Sequence, residues 1–226
     1  ISNSVAGSQI DYWKLADNNI KPQNAQTLSL GYYKNFKKNV WETSVEVYYR
    51  DIKNANDYRD FADLLANETL EQELLIGRGK NYGIELSVKK TIGKLTTRIG
   101  YTHARSLKKM KFDDATYTLN QGNWYASNFD KPHDLQVLFN VSPSQRYSFN
   151  VNFNMGTGRP VSAPAGKYND WNGVGIPIYG ERNNYRVPVY HRMDLSLNIF
   201  PNYRTDRKLK GSWTLGLYNL YFRKNA

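Results

Sequence analysis

Cysteine is absent from all 226 residues, which excludes disulfide scaffolds, thiolate metal centres and thiol catalysis. Histidine occurs three times, as His103, His133 and His191. Each stands alone in its stretch of sequence, and that spacing offers no histidine-built metal site. With 16 Gly and 8 Pro, the chain is too poor in both for a collagen-like or Pro/Gly-rich disordered segment. No run approaches the ~18–20 continuous apolar residues of a transmembrane helix, and mean hydropathy is −0.70. No nucleophile, base and orienting group fall into a catalytic arrangement, so neither an enzyme nor a cofactor is expected. The chain starts at Ile1 with no charged-then-apolar leader, and it stops in mid-motif at Tyr221-Phe222-Arg223-Lys224-Asn225-Ala226. We read it as a segment of a larger protein.

Aromatic residues and positive charge are abundant instead. There are 18 Tyr, 9 Phe and 5 Trp, and 31 Lys+Arg against 20 Asp+Glu give a net charge of +11. Two classes combine charge, aromatics and low average hydropathy. One binds nucleic acid; the other is a β-barrel whose strands alternate apolar and polar residues, so that the averages cancel.

Alternation decides between them. Period-two patterning predicts eight strands, over residues 26–36, 41–50, 82–92, 95–102, 134–141, 147–156, 189–199 and 209–218. In the sixth, Tyr147, Phe149, Val151, Phe153 and Met155 alternate with Ser148, Asn150, Asn152, Asn154 and Gly156. An apolar face backed by an Asn/Ser face suits a wall between lipid and a watery lumen. Glu42, Glu46, Glu85, Arg98, Arg192 and Asp194 join Asn150, Asn152 and Asn154 as expected lumen lining. Tyr32, Phe36, Trp41, Tyr49, Tyr101 and Tyr147 lie near strand ends, where aromatic girdles sit.

The connections alternate too. Short turns fall at 37–39, 93–94 and 142–145, with a longer one at 201–207; long loops span 52–78, 106–131 and 159–188. This is the outer-membrane pattern of tight periplasmic turns and large external loops. Residues 61–75 have helical spacing and carry Asp63, Glu68, Glu71 and Glu73, which predicts a short helix. The Gly77-Arg78-Gly79-Lys80-Asn81-Tyr82-Gly83 run opens a strand rather than a helix, so a phosphate loop is excluded. It reads as a loop-to-strand transition with glycine facing the lumen.

His133 and His191 stand where strands begin and suit capping or interface roles. The basic run Arg105, Lys108, Lys109, Lys111 falls in an external loop, either solvated or against anionic headgroups. Nucleic-acid binding is set aside, because the aromatics alternate with aliphatics rather than forming a stacking platform. The loop 159–187 carries Arg159, Tyr168, Trp171, Arg182, Tyr185 and Arg186. Aromatic faces and guanidinium groups on a long loop suit rings, carboxylates or phosphates, so these residues are the candidate ligand contacts. Packing of loop on loop is the competing reading.

Three stretches resemble a known family. Ile20-Lys21-Pro22-Gln23-Asn24-Ala25-Gln26 with Leu30-Gly31-Tyr32-Tyr33 is similar to a strand opening in TonB-dependent outer-membrane receptors. The run from Tyr179 through Arg186-Val187-Pro188-Val189-Tyr190-His191-Arg192-Met193-Asp194 to Leu197 resembles a second motif of the family, and Asn219-Leu220-Tyr221-Phe222-Arg223-Lys224-Asn225 a third. The resemblance is nearest to Bacteroidetes members with a carboxypeptidase-regulatory-like N-terminal domain. It implies an all-β transmembrane antiparallel barrel of 22 strands, of which residues 1–226 supply strands 14 to 21. The plug, early strands and last strand lie outside this chain. It also implies uptake of a scarce nutrient across the bacterial outer membrane. Partners in that reading are outer-membrane lipids, TonB through the N-terminal region, a surface lipoprotein, and a small-molecule, glycan or peptide substrate. Competing readings are a self-contained eight-stranded barrel, a receptor-like scaffold of an envelope complex, and a soluble basic β-protein.

Overall fold

The computed structural model describes residues 16, 20–63, 67, 69–110, 118–200 and 211–225. Eight strands form the continuous path of a nine-stranded antiparallel sheet, in the order β1-β2-β3-β4-β6-β7-β12-β13, with the short β5 paired to β4 off that path. They are β1 (Asn24–Phe36), β2 (Trp41–Tyr58), β3 (Leu74–Lys90), β4 (Leu95–Lys109), β6 (His133–Ser144), β7 (Tyr147–Gly156), β12 (Tyr190–Ile199) and β13 (Trp213–Leu217). Short strands decorate the long connections: β5 (Tyr125–Ala126), β8 (Pro160–Val161), β9 (Pro164–Asn169), β10 (Gly175–Tyr179) and β11 (Tyr185–Arg186). Among the described residues β1 pairs with β2 alone and β13 with β12 alone, so the sheet is open at both edges. That overturns the self-contained eight-stranded barrel.

Register makes two chemically distinct faces. One polar rung runs Asn35–Glu42–Lys89–Arg98–Leu138–Asn152–Asp194 across seven strands. The rung beside it runs Tyr33–Ser44–Ser87–Gly100–Gln136–Asn154–Arg192. Glu46–Glu85 lies beyond, and Asn140–Asn150–Ser196 on the other side. All nine expected lumen residues therefore share one face. The opposite face carries rungs such as Tyr32–Val45–Leu86–Tyr101–Leu135–Met155–His191. Because side chains alternate with period two, any one-residue slip would exchange the two faces, and this fixes the register.

Among the described residues, nothing covers the apolar face. Leu28, Leu30 and Trp213 are 77%, 75% and 75% exposed. The buried apolar residues gather elsewhere: Ala55, Leu75, Met110, Leu119 and Tyr125 form a small core beneath the long loops, with Ile52 against it. A sheet with bare aliphatic flanks and a core confined to its loops is built for lipid rather than water.

The strands overrun their sequence bounds at the loop end. β2 continues to Tyr58, β3 starts at Leu74 and β4 ends at Lys109, so the loops expected at 52–78 and 106–131 are shorter. Arg105, Lys108 and Lys109 belong to β4 rather than to a loop, and Lys111 lies outside the described residues. Gly77 and Gly79 are likewise inside β3. Gly83, on the polar face, is where Tyr48 crosses: a Cβ there would meet the His103 carbonyl at 2.6 Å and the Tyr48 hydroxyl at 2.9 Å. The helix expected over 61–75 is a 3₁₀ turn at Leu70–Glu73, with residues 64–66 and 68 outside the described set. The turn at 201–207 and the start of the eighth predicted strand fall there as well.

A bulge at Asn54 sets the loop architecture. Asn54 adopts φ 56°, and pairing with β3 jumps from Lys53–Arg78 to Ala55–Gly77. The extra residue reverses the alternation of β2. Asp57 consequently shares the polar side with Gly77 and Leu75, where without the bulge it would have pointed outward.

Candidate functional site

Two buried carboxylates organise the loops above the polar face. Asp57, on the overrunning end of β2, accepts from the Tyr125 hydroxyl at 2.7 Å and from Arg182 Nη1 at 2.8 Å. Lys108 Nζ, pointing to the polar side of β4, lies 3.4 Å from its second oxygen. Burial first, and the Asp57 charge second, push the Tyr125 phenol well above its ordinary pKa, so it stays a donor. Arg182 also donates to the Tyr58 carbonyl at 2.6 Å and to Asp60 at 2.7 Å. One guanidinium thus closes the loop after β10 onto the end of β2, using its fixed fork of donors.

Asp130 is the second hub and is fully buried. It accepts from Arg186 Nη2 at 2.5 Å, from Arg105 Nε at 3.1 Å and from the Ser106 backbone N–H at 2.7 Å. Arg186 Nη1 donates to the carbonyls of Asp130 and Gly158, each at 2.8 Å. Arg186 can come so near because residue 158 has no side chain; a Cβ there would overlap the Val187 carbonyl.

Amide side chains complete the platform. Asn120 accepts from the Arg182 N–H at 2.7 Å and donates to its carbonyl at 3.1 Å. Asn183, at φ 56°, donates to the Ala126 carbonyl at 2.7 Å and Asn128 Oδ1 at 2.8 Å. Asparagine tolerates that left-handed backbone better than most residues. Arg59 and Glu73 pair through two contacts of 2.5 Å, tying the end of β2 to the 3₁₀ turn.

The β9–β10 hairpin projects from this platform. Its tip is set by Asp170, which accepts from the Asn172 and Val174 N–H groups at 2.9 and 2.8 Å. Trp171 at the tip is 93% exposed, and Tyr168, Tyr179 and Tyr185 are about half exposed. Of the six loop residues singled out in the sequence, Arg159, Tyr168, Trp171 and Tyr185 present free surface. Arg182 and Arg186 are engaged inside the platform. Asp57, Tyr125, Asn120, Asn183 and Asp130 escaped the sequence reading, because a lone carboxylate or amide in a polar loop has no periodic signature.

The polar-face residues also pair among themselves. Lys89 donates to Glu42 at 3.1 Å, the Tyr33 hydroxyl to Glu46 at 3.0 Å, and Arg192 to Asp194 at 3.0 Å. Asn150 bonds Asn140 on one side and Ser196 on the other, the latter at 3.1 Å. This is a mixed-sign polar face, with Asn154 donating to Asn152 at 3.0 Å along the strand. A depression of about 270 Å³ opens on it, lined by Glu46, Glu85, Arg98 and Gln136 among others.

Histidines isolated in sequence become neighbours across the sheet. The His103 and His133 rings lie 4.9 Å apart, and Tyr101 Oη is 2.8 Å from His133 Nδ1. His191 Nδ1 is 2.7 Å from the Tyr221 hydroxyl. Among the described residues no group of three or more His, Asp or Glu is arranged to hold a metal ion.

These features agree with comparisons to known proteins. The family model described as "TonB dependent receptor-like, beta-barrel" matches residues 3–220. The ferric-catecholate import receptor Fiu of E. coli K12, in its closed form, superimposes with a TM-score of 0.61 at 18% identity. That match covers 92% of this chain and 25% of Fiu. The FrpB iron transporter of Neisseria meningitidis (F3-3 variant) gives 0.58 at 15% identity, over 92% of this chain and 28% of FrpB. At such identities the likeness concerns the fold. No curated protein matches the sequence. The chain spans about a quarter of the length of either solved structure. With a family model matched over nearly its whole length, a strand-built wall and a bare lipid-facing side, the chain belongs to the TonB-dependent receptors of the bacterial outer membrane, as part of their β-barrel.

Proposed function

We propose that this chain is the C-terminal part of a TonB-dependent receptor barrel that takes up a scarce nutrient across the outer membrane. Residues 1–226 supply wall, lumen lining and external loops, while further strands pair with the β1 and β13 edges. TonB acts through a plug that other parts of the protein provide. The observation that carries this reading is the two-hub platform at one end of the polar face. It holds loops from β2, β4 and β7 together and carries an exposed aromatic hairpin.

Arg159, Tyr168, Trp171 and Tyr185 are the contact residues in this reading, and Arg182 and Arg186 position them. Exposed indole and phenol faces stack on planar or sugar rings, and Arg159 adds affinity for anionic groups. Ferric catecholates, the cargo named for Fiu, combine both features. In cells carrying the full-length receptor, labelled ferric catecholate and a panel of labelled oligosaccharides and peptides serve as probes. One of them is taken up only when both receptor and TonB are present. Trp171→Ala then weakens its binding by roughly tenfold or more, the scale of an aromatic anchor. Unchanged uptake of every probe on deleting the receptor, with loss of an envelope complex, would replace transport by the scaffold reading.

A further inference from the structure

The outer face of the sheet ends, toward the loops, in a rung of three cations. Lys53 pairs with Arg78, and Arg78 pairs with Lys109. The alternation that turns Tyr49, Tyr82 and Tyr101 outward turns these three the same way. Adjacent strands are about 4.8 Å apart, so the three side chains start within about 10 Å of one another. Like charges directly opposite each other destabilise a sheet. Even so, none of the three makes an ion pair among the described residues.

Among the described strand residues, the nearest carboxylate on this face is Asp51, one rung below, where its strand partner is Lys80. Lys80 in turn lies over the Trp124 ring at 4.2 Å. Below that comes the rung Leu28–Tyr49–Tyr82–Arg105, with Arg105 engaged by Asp130. Descending the face, the order is thus cations, an indole with a lysine over it, tyrosines, then aliphatic residues. The cation rung stands about 13 Å along the strand from the tyrosines. Tyrosines of a barrel girdle mark the level where acyl chains give way to headgroups. Phosphates of the outer leaflet lie just above that level.

We propose that Lys53, Arg78 and Lys109 form a binding site for the phosphorylated headgroup of an outer-leaflet lipid. The bulge at Asn54 contributes on the loop side of the rung, because it turns Asp57 inward, where unbroken alternation would have left a further carboxylate on the outer face beyond Lys53. Lys108, between Lys109 and Leu107, likewise points inward to Asp57. The basic run of β4 is thereby divided into a loop anchor and a lipid contact. This site is independent of what the receptor transports.

The test uses the full-length receptor purified in detergent, with diphosphorylated lipid A and its dephosphorylated form as probes. The triple variant Lys53→Gln/Arg78→Gln/Lys109→Gln is compared with Lys34→Gln/Lys90→Gln, which removes outward cations near the short turns. Native mass spectrometry reads bound lipid, and heat-modifiable migration reports the folded barrel. Each cation near an anionic membrane surface is worth about fivefold in binding, so the triple variant loses about a hundredfold in affinity for the phosphorylated probe. The control variant and the dephosphorylated probe show little change. Should the triple variant fail to fold, Arg78→Gln alone carries the test, with about a fivefold loss. Equal affinity of wild type and variant for diphosphorylated lipid A would overturn the site. So would complete displacement by inorganic phosphate at matching concentration, which would make it a simple anion site.

Discussion

Asp130→Ala detaches the external loops while leaving the barrel wall intact. The carboxylate is fully buried and holds Arg186, Arg105 and the Ser106 N–H. Removing one partner of a buried ion pair costs about 3–5 kcal/mol, since the remaining charges lose compensation where water cannot replace it. The loss falls on the contacts joining the loop after β7 and the β4–β6 connection to the loop end of β4, while the β3–β4 and β4–β6 pairings below Ser106 do not involve Asp130. External protease on whole cells therefore cuts the variant within residues 159–188 while the wild type resists. Heat-modifiable migration of the full-length receptor stays unchanged. Asp130→Asn gives an intermediate result, retaining an acceptor for Ser106 but not the charge. Loss of the folded barrel in Asp130→Ala would show that the platform is not separable from the wall.

Val151→Arg and Asn152→Arg, one residue apart in β7, have opposite consequences. Val151 lies in the rung Phe36–Trp41–Lys90–Thr97–Phe139–Val151–Leu195–Leu217 on the apolar face. An arginine facing lipid near the midplane of a barrel costs about 2–4 kcal/mol. Asn152 lies on the polar face, with Asp194 as its cross-strand partner, so an arginine there gains a countercharge. Denaturant unfolding of the full-length receptor in bilayers should show the large loss for Val151→Arg and a change within about 0.5 kcal/mol for Asn152→Arg. Equal losses would mean that both faces meet the same environment.

The wall was legible because lipid on one side and water on the other impose period two over a whole crossing. β7 has the bounds its alternation predicts, Tyr147–Gly156. The register then gathers Glu42, Arg98, Asn152 and Asp194 on one rung, although they come from four different strands. The strand extensions were not legible. Beyond Asp51 the apolar–polar contrast of β2 fades, and the Asn54 bulge breaks its alternation.

The loop platform was harder still. Arg182 meets Asp57 across 125 residues and Arg186 meets Asp130 across 56. No local pattern announces either pair. The sequence marks these arginines as chemically able to bind an anion, and the fold supplies the anion from its own chain. His103 and His133 make the same point on the outer face, where neighbours arise from register alone.

Spin labelling along β7 distinguishes a lipid-facing side from a water-facing one. This chain contains no cysteine, so single cysteines at residues 149–154 of the full-length receptor, on a background free of any other cysteine, carry a nitroxide without competition from native thiols. Collision with oxygen reports lipid, and collision with a water-soluble nickel chelate reports the lumen. Oxygen maxima are expected at positions Phe149, Val151 and Phe153 and chelate maxima at Asn150, Asn152 and Asn154. A profile without period two, or one with the two maxima exchanged, would contradict this assignment of faces.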